Sequence, residues 1–239
     1  MSAAFAVVLA GGLGTRIRHV LGDLPKPLAP VAGKPFLEWV LRYLRKQGVE
    51  RAVLSAGYGA SQVQSFVAAL RLPGLQAACV AEPEPLGTGG GFLFALPEGA
   101  GDNVPVLACN GDSLALADLA PLYAAAREGD AAVLAVRVPD AGRYGSLDVG
   151  EGGRLRGFAE KRPGVGVVNA GLYLFGAKAL RAFPRKKPLS FETDVFPALL
   201  AQGLDIRAVA CEAPFLDIGT EASLVQADGF IRAHPECFA

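Results

Sequence analysis

Chemistry in this sequence concentrates in a few short segments. Directly after an apolar run, Leu9-Ala10-Gly11-Gly12-Leu13-Gly14-Thr15-Arg16 offers glycines whose backbone N–H groups can approach phosphate oxygens without a Cβ in the way. Arg16 can grip the same oxygens in a two-pronged fork. Spacing excludes two familiar loops. A dinucleotide fingerprint needs a further glycine where Ile17 stands, and a Walker A loop ending at Gly33-Lys34 needs Ser or Thr where Pro35 stands. Further on, Lys26 sits between Pro25 and Pro27, whose rings restrict the backbone and are expected to hold the lysine aimed in an extended stretch. Asn110-Gly111-Asp112 closes an apolar strand that begins at Val104, which puts Asp112 at the carboxyl edge of a sheet, where α/β proteins bind ligands.

These segments need a scaffold. The run from Ala4 to Leu9 is short and apolar and ends in the glycine loop, as a buried parallel strand does. Pro35 opens a helix in which Phe36, Leu37, Val40, Leu41 and Leu44 share one stripe, with Gly48 as the stop. Alternation then repeats: strands are expected over 51–55, 76–81, 104–109 and 131–138, and helices over 61–70, 89–95 and 119–127. From Tyr144 the texture changes, since Leu147-Asp148-Val149 and Leu155-Arg156-Gly157-Phe158 flank Gly152-Gly153 and read as a small antiparallel insert near 143–166. A strand over 167–175, a helix over 192–202, a strand over 206–211 and a last helix over 221–232 complete the pattern. The predicted fold class is α/β, a Rossmann-like mixed, mostly parallel sheet flanked by helices, in one domain over 1–239.

Composition narrows the function classes. With 239 residues, 51% apolar and 19% charged, the chain can bury a sizeable core, and a disordered tail protein is excluded. Its 23 Lys+Arg balance 23 Asp+Glu, so no overall field holds a polyanion. Nucleic acid is not an expected partner, and any anion site must be local. Cys79, Cys109, Cys211 and Cys237 form no C-x-x-C pair and histidines number two, so a structural zinc site is not expected. Thiols in apolar runs suit a reducing, cytoplasmic compartment. The apolar start has no Lys or Arg before it and runs into Gly11-Gly12, fitting neither a signal peptide nor a membrane span, so no membrane partner is expected.

Taken together, G-G-x-G-T-R at 11–16 followed by P-K-P at 25–27 resembles the sugar-1-phosphate nucleotidyltransferases, the nucleotide-sugar pyrophosphorylase family. The remaining motifs of that family occur in order along the chain. The resemblance implies that Asp112 and Asp217, the latter in Phe215-Leu216-Asp217-Ile218-Gly219-Thr220, share one Mg²⁺, which usually takes one or two protein carboxylates and completes its shell with phosphate and water. It implies a nucleotide site from Leu9, Gly11, Gly12, Gly14, Thr15, Gly87 and Thr88, with Arg16 and Lys26 neutralising the triphosphate. It also implies a sugar-phosphate site from Gly145, Glu160, Lys161, Asn169 and Glu192, with Lys161 on the monoester phosphate. The nucleotide part would run to about 138 and the sugar-phosphate part from about 139 to 239.

The implied reaction is attack of a sugar 1-phosphate oxygen on the α-phosphorus of a nucleoside triphosphate, releasing pyrophosphate. Few histidines suffice, because a phosphate monoester with a second pKa near ~6 is already ionised at neutral pH and needs no general base. In the loop from Glu82 to Thr88 a carboxylate, assigned to Glu84, would accept the paired N1 and N2 donors of guanine, whereas uracil offers one N–H between two repelling carbonyls. GTP is the expected donor. The stretch Asp23 to Glu38, with Asn169-Ala170-Gly171 and Ser190-Phe191-Glu192, most resembles the D-glycero-D-manno-heptose 1-phosphate guanylyltransferases. Mannose 1-phosphate and N-acetylmuramate 1-phosphate enzymes are alternatives, and no β-helix appendage with a second transferase activity is expected. A catalytically silent nucleotide-sugar sensor is the rival of another class, against which the retention of Arg16, Lys26, Asp112, Lys161 and Asp217 argues. Oligomeric state stays open, with room for a homo-oligomer.

Overall fold

The computed structural model describes residues 5–101, 104–142, 145–159 and 164–239. The first half alternates strand and helix: β1 (Phe5–Leu9), α1 (Arg18–Leu21), a two-residue ladder of β2 (Pro30–Val31) with β3 (Lys34–Pro35), α2 (Phe36–Lys46), β4 (Arg51–Ala56), α3 (Ala60–Ala69), β5 (Gln76–Ala81), α4 (Gly87–Ala95), β6 (Val106–Asn110), β7 (Ser113–Ala115), α5 (Ala120–Glu128) and β8 (Ala131–Val138). The second half holds β9 (Ser146–Val149), β10 (Leu155–Ala159), β11 (Gly166–Phe175), α6 (Ala177–Arg181), α7 (Phe196–Ala201), β12 (Ile206–Cys211), β13 (Phe215–Asp217) and α8 (Glu221–Ala233).

One mixed sheet runs in the order β10-β9-β11-β6-β1-β4-β5, with β8 and then β12 branching from β11. Strands β6, β1, β4 and β5 are mutually parallel, and β11 lies antiparallel to β6. The α/β class is therefore as expected, with one refinement: the hairpin of β9 and β10 joins the central sheet through Val168 opposite Ser146 instead of standing apart from it. Period-two alternation sorts the strands between two cores. Ala6, Val8, Leu107 and Cys109 face one side, beneath α2, α5 and α8, while Val7, Ala108, Tyr173 and Phe175 face the other. That second side is an aromatic cluster in which Phe175 sits 5.2 Å from Phe191 and 5.3 Å from Phe92, ring centre to ring centre. Among the described residues no helix is long and apolar enough to cross a membrane, and all four cysteines are free.

Several expected elements are placed differently, each for a local reason. Lys26 opens a single 3-10 turn, Lys26–Leu28, instead of lying extended, because prolines at a turn's start forfeit only N–H groups that would be unpaired there. The helix expected over 192–202 splits into a wide turn, Phe191–Val195, and α7, since Pro197 has no N–H to extend a single ladder. Helix α4 starts at Gly87, earlier than expected, because the N–H groups of Gly89 and Gly90 both donate to the Leu189 carbonyl, at 2.8 and 3.1 Å.

That stitch depends on one glycine. Gly87 has φ +77, and a Cβ built on it would lie 2.6 Å from the Leu189 carbonyl oxygen, a backbone atom that cannot step aside. Gly87→Ala should therefore cost about 2 kcal/mol or more, from left-handed strain plus the clash. Chemical denaturation measures it, and a cost below about 0.5 kcal/mol would show that the start of α4 is not pinned by Leu189.

Candidate active site

Asp112 follows the end of β6, and β7 then pairs antiparallel with β13 so that Asp217 lies opposite Ser113. The Ile218 N–H donates to the Asp112 carbonyl at 3.1 Å, closing the ladder beside both carboxylates. Two residues far apart in the chain are thereby neighbours. Lys26, whose side chain is 10% exposed, forms an ion pair with Asp112 Oδ2, and the Arg16 guanidinium lies against Gly219. Burial pushes the Asp217 carboxyl above its ordinary range, and the charge of Asp112 pushes the same way. Lys26, the Gly219 N–H that donates to Asp217 Oδ1 at 2.7 Å, and Arg16 oppose that rise without cancelling it. Lys26 thus pairs with Asp112 directly, while Asp217 stays less well compensated in its buried position. Among the described residues no cluster of three or more His, Cys, Asp or Glu forms, so a divalent ion here would take two hard oxygens from the protein and the rest from phosphate and water.

Beside this corner lies a cavity of about 290 Å³, walled by the glycine loop, the 85–88 turn and the Asn110 to Asp112 edge. Leu9, Gly11, Gly12, Gly87 and Thr88 line it. Gly14, with φ +58, instead caps the 3-10 turn Thr15–Ile17 and packs against Lys26 Cβ. The Thr88 hydroxyl accepts from Phe191 N–H at 2.8 Å, which ties the cavity wall to the opposite segment.

Of the two carboxylates in the 82–88 loop, the one in the cavity wall is Glu82, not Glu84, to which the sequence assigns the base contact. The structure sets Glu84 outside the cavity lining, where it is exposed and paired with Lys187 at 3.4 Å. Glu82 Oε1 accepts from Ser55 Oγ at 2.9 Å and Oε2 from Leu86 N–H at 3.2 Å. A Cβ on Gly11 would come within 2.6 Å of Glu82 Oε1, so a larger residue there would push this carboxylate out of its present place. The signal for Glu82 was available: it directly follows β5, at the carboxyl edge of the sheet. A larger groove, about 900 Å³, opens on the far side of Leu86 between α4 and the 180–187 segment, but it contains none of these carboxylates.

On the sugar side the structure joins Asn169 and Glu192 through two further residues. In β11, Asn169 and Tyr173 are four residues apart yet pair with Ala135 and Val133, two apart, so the strand bulges between them at Gly171. The bulge aims Asn169 Nδ2 at the Tyr173 hydroxyl, 2.7 Å, and at Glu192 Oε1, 3.4 Å. Tyr173 also donates to Glu192 Oε1 at 3.3 Å, and Ser190 Oγ to Oε2 at 3.1 Å. Tyr173 is fully buried, which with the Glu192 charge raises its pKa well above the ordinary value and keeps the hydroxyl a donor. The Gly145 carbonyl accepts from Asn169 N–H at 2.9 Å. Glu160 and Lys161 lie outside the described residues.

Comparison with known proteins agrees with this geometry. The chain is 36% identical over 226 residues to a mannose-1-phosphate guanylyltransferase of Mycobacterium tuberculosis, covering 92% of this chain and 62% of that protein. It is 34% identical over 215 residues to a D-glycero-alpha-D-manno-heptose 1-phosphate guanylyltransferase of Campylobacter jejuni, covering 90% of this chain and 94% of the relative. The crystal structure of HddC from Yersinia pseudotuberculosis superposes with a TM-score of 0.83 at 33% identity, covering 96% of this chain and 99% of that one, and a second HddC structure is complexed with GMP-PN. The sequence pattern of the nucleotidyl transferases matches residues 5–234, and a chain matched over nearly its whole length belongs to that family.

Proposed function

We propose that this chain transfers a guanylyl group from GTP to a manno-configured sugar 1-phosphate, D-glycero-D-manno-heptose 1-phosphate, giving the GDP-sugar and pyrophosphate. The observation that carries the reading is the Glu82 carboxylate in the wall of the nucleotide cavity, with one donor already on each oxygen. A carboxylate offers about four acceptor sites, so about two remain for a base that presents two adjacent donors. Guanine does so, through N1 and N2. Uracil does not, which disfavours the uridylyl alternative. Mannose 1-phosphate is the second reading, favoured by the 36% identity to the mycobacterial enzyme.

The residues divide the work by charge. Backbone N–H groups at Gly11 and Gly12 face phosphate oxygens, while Arg16 and Lys26 neutralise the departing pyrophosphate. Asp112 and Asp217 would hold Mg²⁺, which supplies charge neutralisation and in-line alignment when bound. Lys26, now on Asp112, is placed to exchange that partner for a phosphate. Asn169 and Glu192 position sugar hydroxyls, with Gly145 at the backbone beside them, and Lys161 with Glu160 serves the sugar phosphate. No residue need act as base, since the attacking monoester is ionised near neutral pH. We place the activity in the cytoplasm, where GTP is supplied and free thiols persist.

Two experiments test this. Asp112→Asn and Asp217→Asn should each cut pyrophosphate release by about 100-fold or more in variants shown by circular dichroism to be folded at the assay temperature, because a charged ligand is lost. Near-normal turnover in both would remove them from the mechanism. In competition at equal concentrations, GTP should be used at least ~10-fold more efficiently than UTP, CTP or dTTP, about 1.4 kcal/mol, within reach of one charge-assisted hydrogen bond. Preference for UTP or dTTP would overturn the base assignment and the heptose reading with it.

A further inference from the structure

We propose that Ser55 is a positioning residue that sets base selectivity, by holding the Glu82 carboxylate in the one orientation that leaves its free acceptor sites to the base. The inference rests on the reading of Glu82 as the base contact. Ser55 stands near the end of β4, between Leu9 on β1 and Val80 on β5, so its backbone is locked inside a parallel ladder. Its carbonyl accepts from Ala10 N–H at 2.8 Å, which ties it to the start of the glycine loop as well. It is 0% exposed, and a hydroxyl that deep requires a partner. The partner is Glu82 Oε1, at 2.9 Å.

The second anchor, Leu86 N–H on Oε2 at 3.2 Å, belongs to the turn that walls the cavity. With that anchor alone the carboxylate could still swing about one oxygen. With Ser55 on the other oxygen it cannot, and both edges of the group are assigned. Packing closes the remaining freedom: Oε1 lies 2.6 Å from where a Cβ on Gly11 would be and 2.7 Å from where one on Gly91 would be, so bare backbone faces it on two sides. Each oxygen accepts one bond and keeps a further acceptor site, and since Glu82 lines the cavity it is these sites that we assign to the base. A fixed carboxylate distinguishes a base with two adjacent N–H donors from one with a single donor. A carboxylate free to swing accepts either.

Calorimetric titration of GTP and ITP, in MgCl₂ and without sugar, isolates this effect, because hypoxanthine lacks only the 2-amino donor. The wild-type protein should bind GTP at least ~10-fold more tightly than ITP, and Ser55→Ala should shrink that ratio by ~3-fold or more, mainly through weaker GTP binding. Thermal unfolding checks that the variant is folded, and Ser55→Cys, with a weaker donor of similar size, should shift the ratio in the same direction if the alanine variant is not. Equal weakening of both nucleotides, or an unchanged ratio in the folded variant, would leave Ser55 a packing residue and overturn the proposal. Glu82→Gln is measured alongside. If it leaves the wild-type ratio intact, the base reading itself fails; if it abolishes the ratio while Ser55→Ala preserves it, only the role of Ser55 fails.

Discussion

Two carboxylates of like charge are held side by side in one half-buried corner, and much of the architecture follows from keeping them there. Burial of Asp217 raises the pKa of its carboxyl, and the neighbouring charge of Asp112 pushes the same way. The short ladder of β7 and β13 imposes the proximity through backbone hydrogen bonds, which do not depend on charge. Lys26 and Arg16 then oppose that rise in part. Both arrive on segments that bracket the first short helix: Arg16 from the 3-10 turn after the glycine loop, and Lys26 from the turn before β2. Two adjacent carboxylates with two cations at hand are the groups to which the proposed reaction assigns the metal and the phosphates.

A second constraint couples the two halves of the site. Strand β11 pairs with β6, whose last residue, Asn110, lines the nucleotide cavity, and the bulge of β11 places Gly171 directly against Asn110. On the same strand Asn169 and Tyr173, four positions apart, together hold Glu192. From the other side, the segment at Leu189 is stitched to α4, and Phe191 N–H is bonded to Thr88. Nucleotide and sugar sides thus share one strand and one loop contact, so neither can shift independently of the other. In the proposed reaction such coupling would help align the two substrates, because small misplacements of reacting atoms cost much of the rate.

The sequence by itself determined whatever depends on neighbours in the chain. Apolar runs ending in glycine or polar turns identified the strands, and the strand-to-loop junction at Leu9 to Arg16 marked a glycine loop at the end of the first of them. Asp112 was legible for the same reason, standing just beyond an apolar strand. The aim of Lys26 was legible, though the extended backbone expected for it was replaced by a turn.

Only the tertiary structure decided which loop carboxylate enters the cavity. Glu82 and Glu84 are two residues apart among alternating prolines, and although Glu82 stands nearer the strand edge, the local sequence does not say which of the two side chains turns inward. Glu82 is drawn inward by a buried hydroxyl on β4, while Glu84 is held outward by Lys187, from a segment about a hundred residues away. The pairing of β13 with β7, and the bulge that joins Asn169 to Tyr173 and Glu192, escaped the sequence for the same cause. Periodicity reports which face of an element is buried, but the direction of a polar side chain is settled by hydrogen-bond partners that sheet topology brings from elsewhere in the chain.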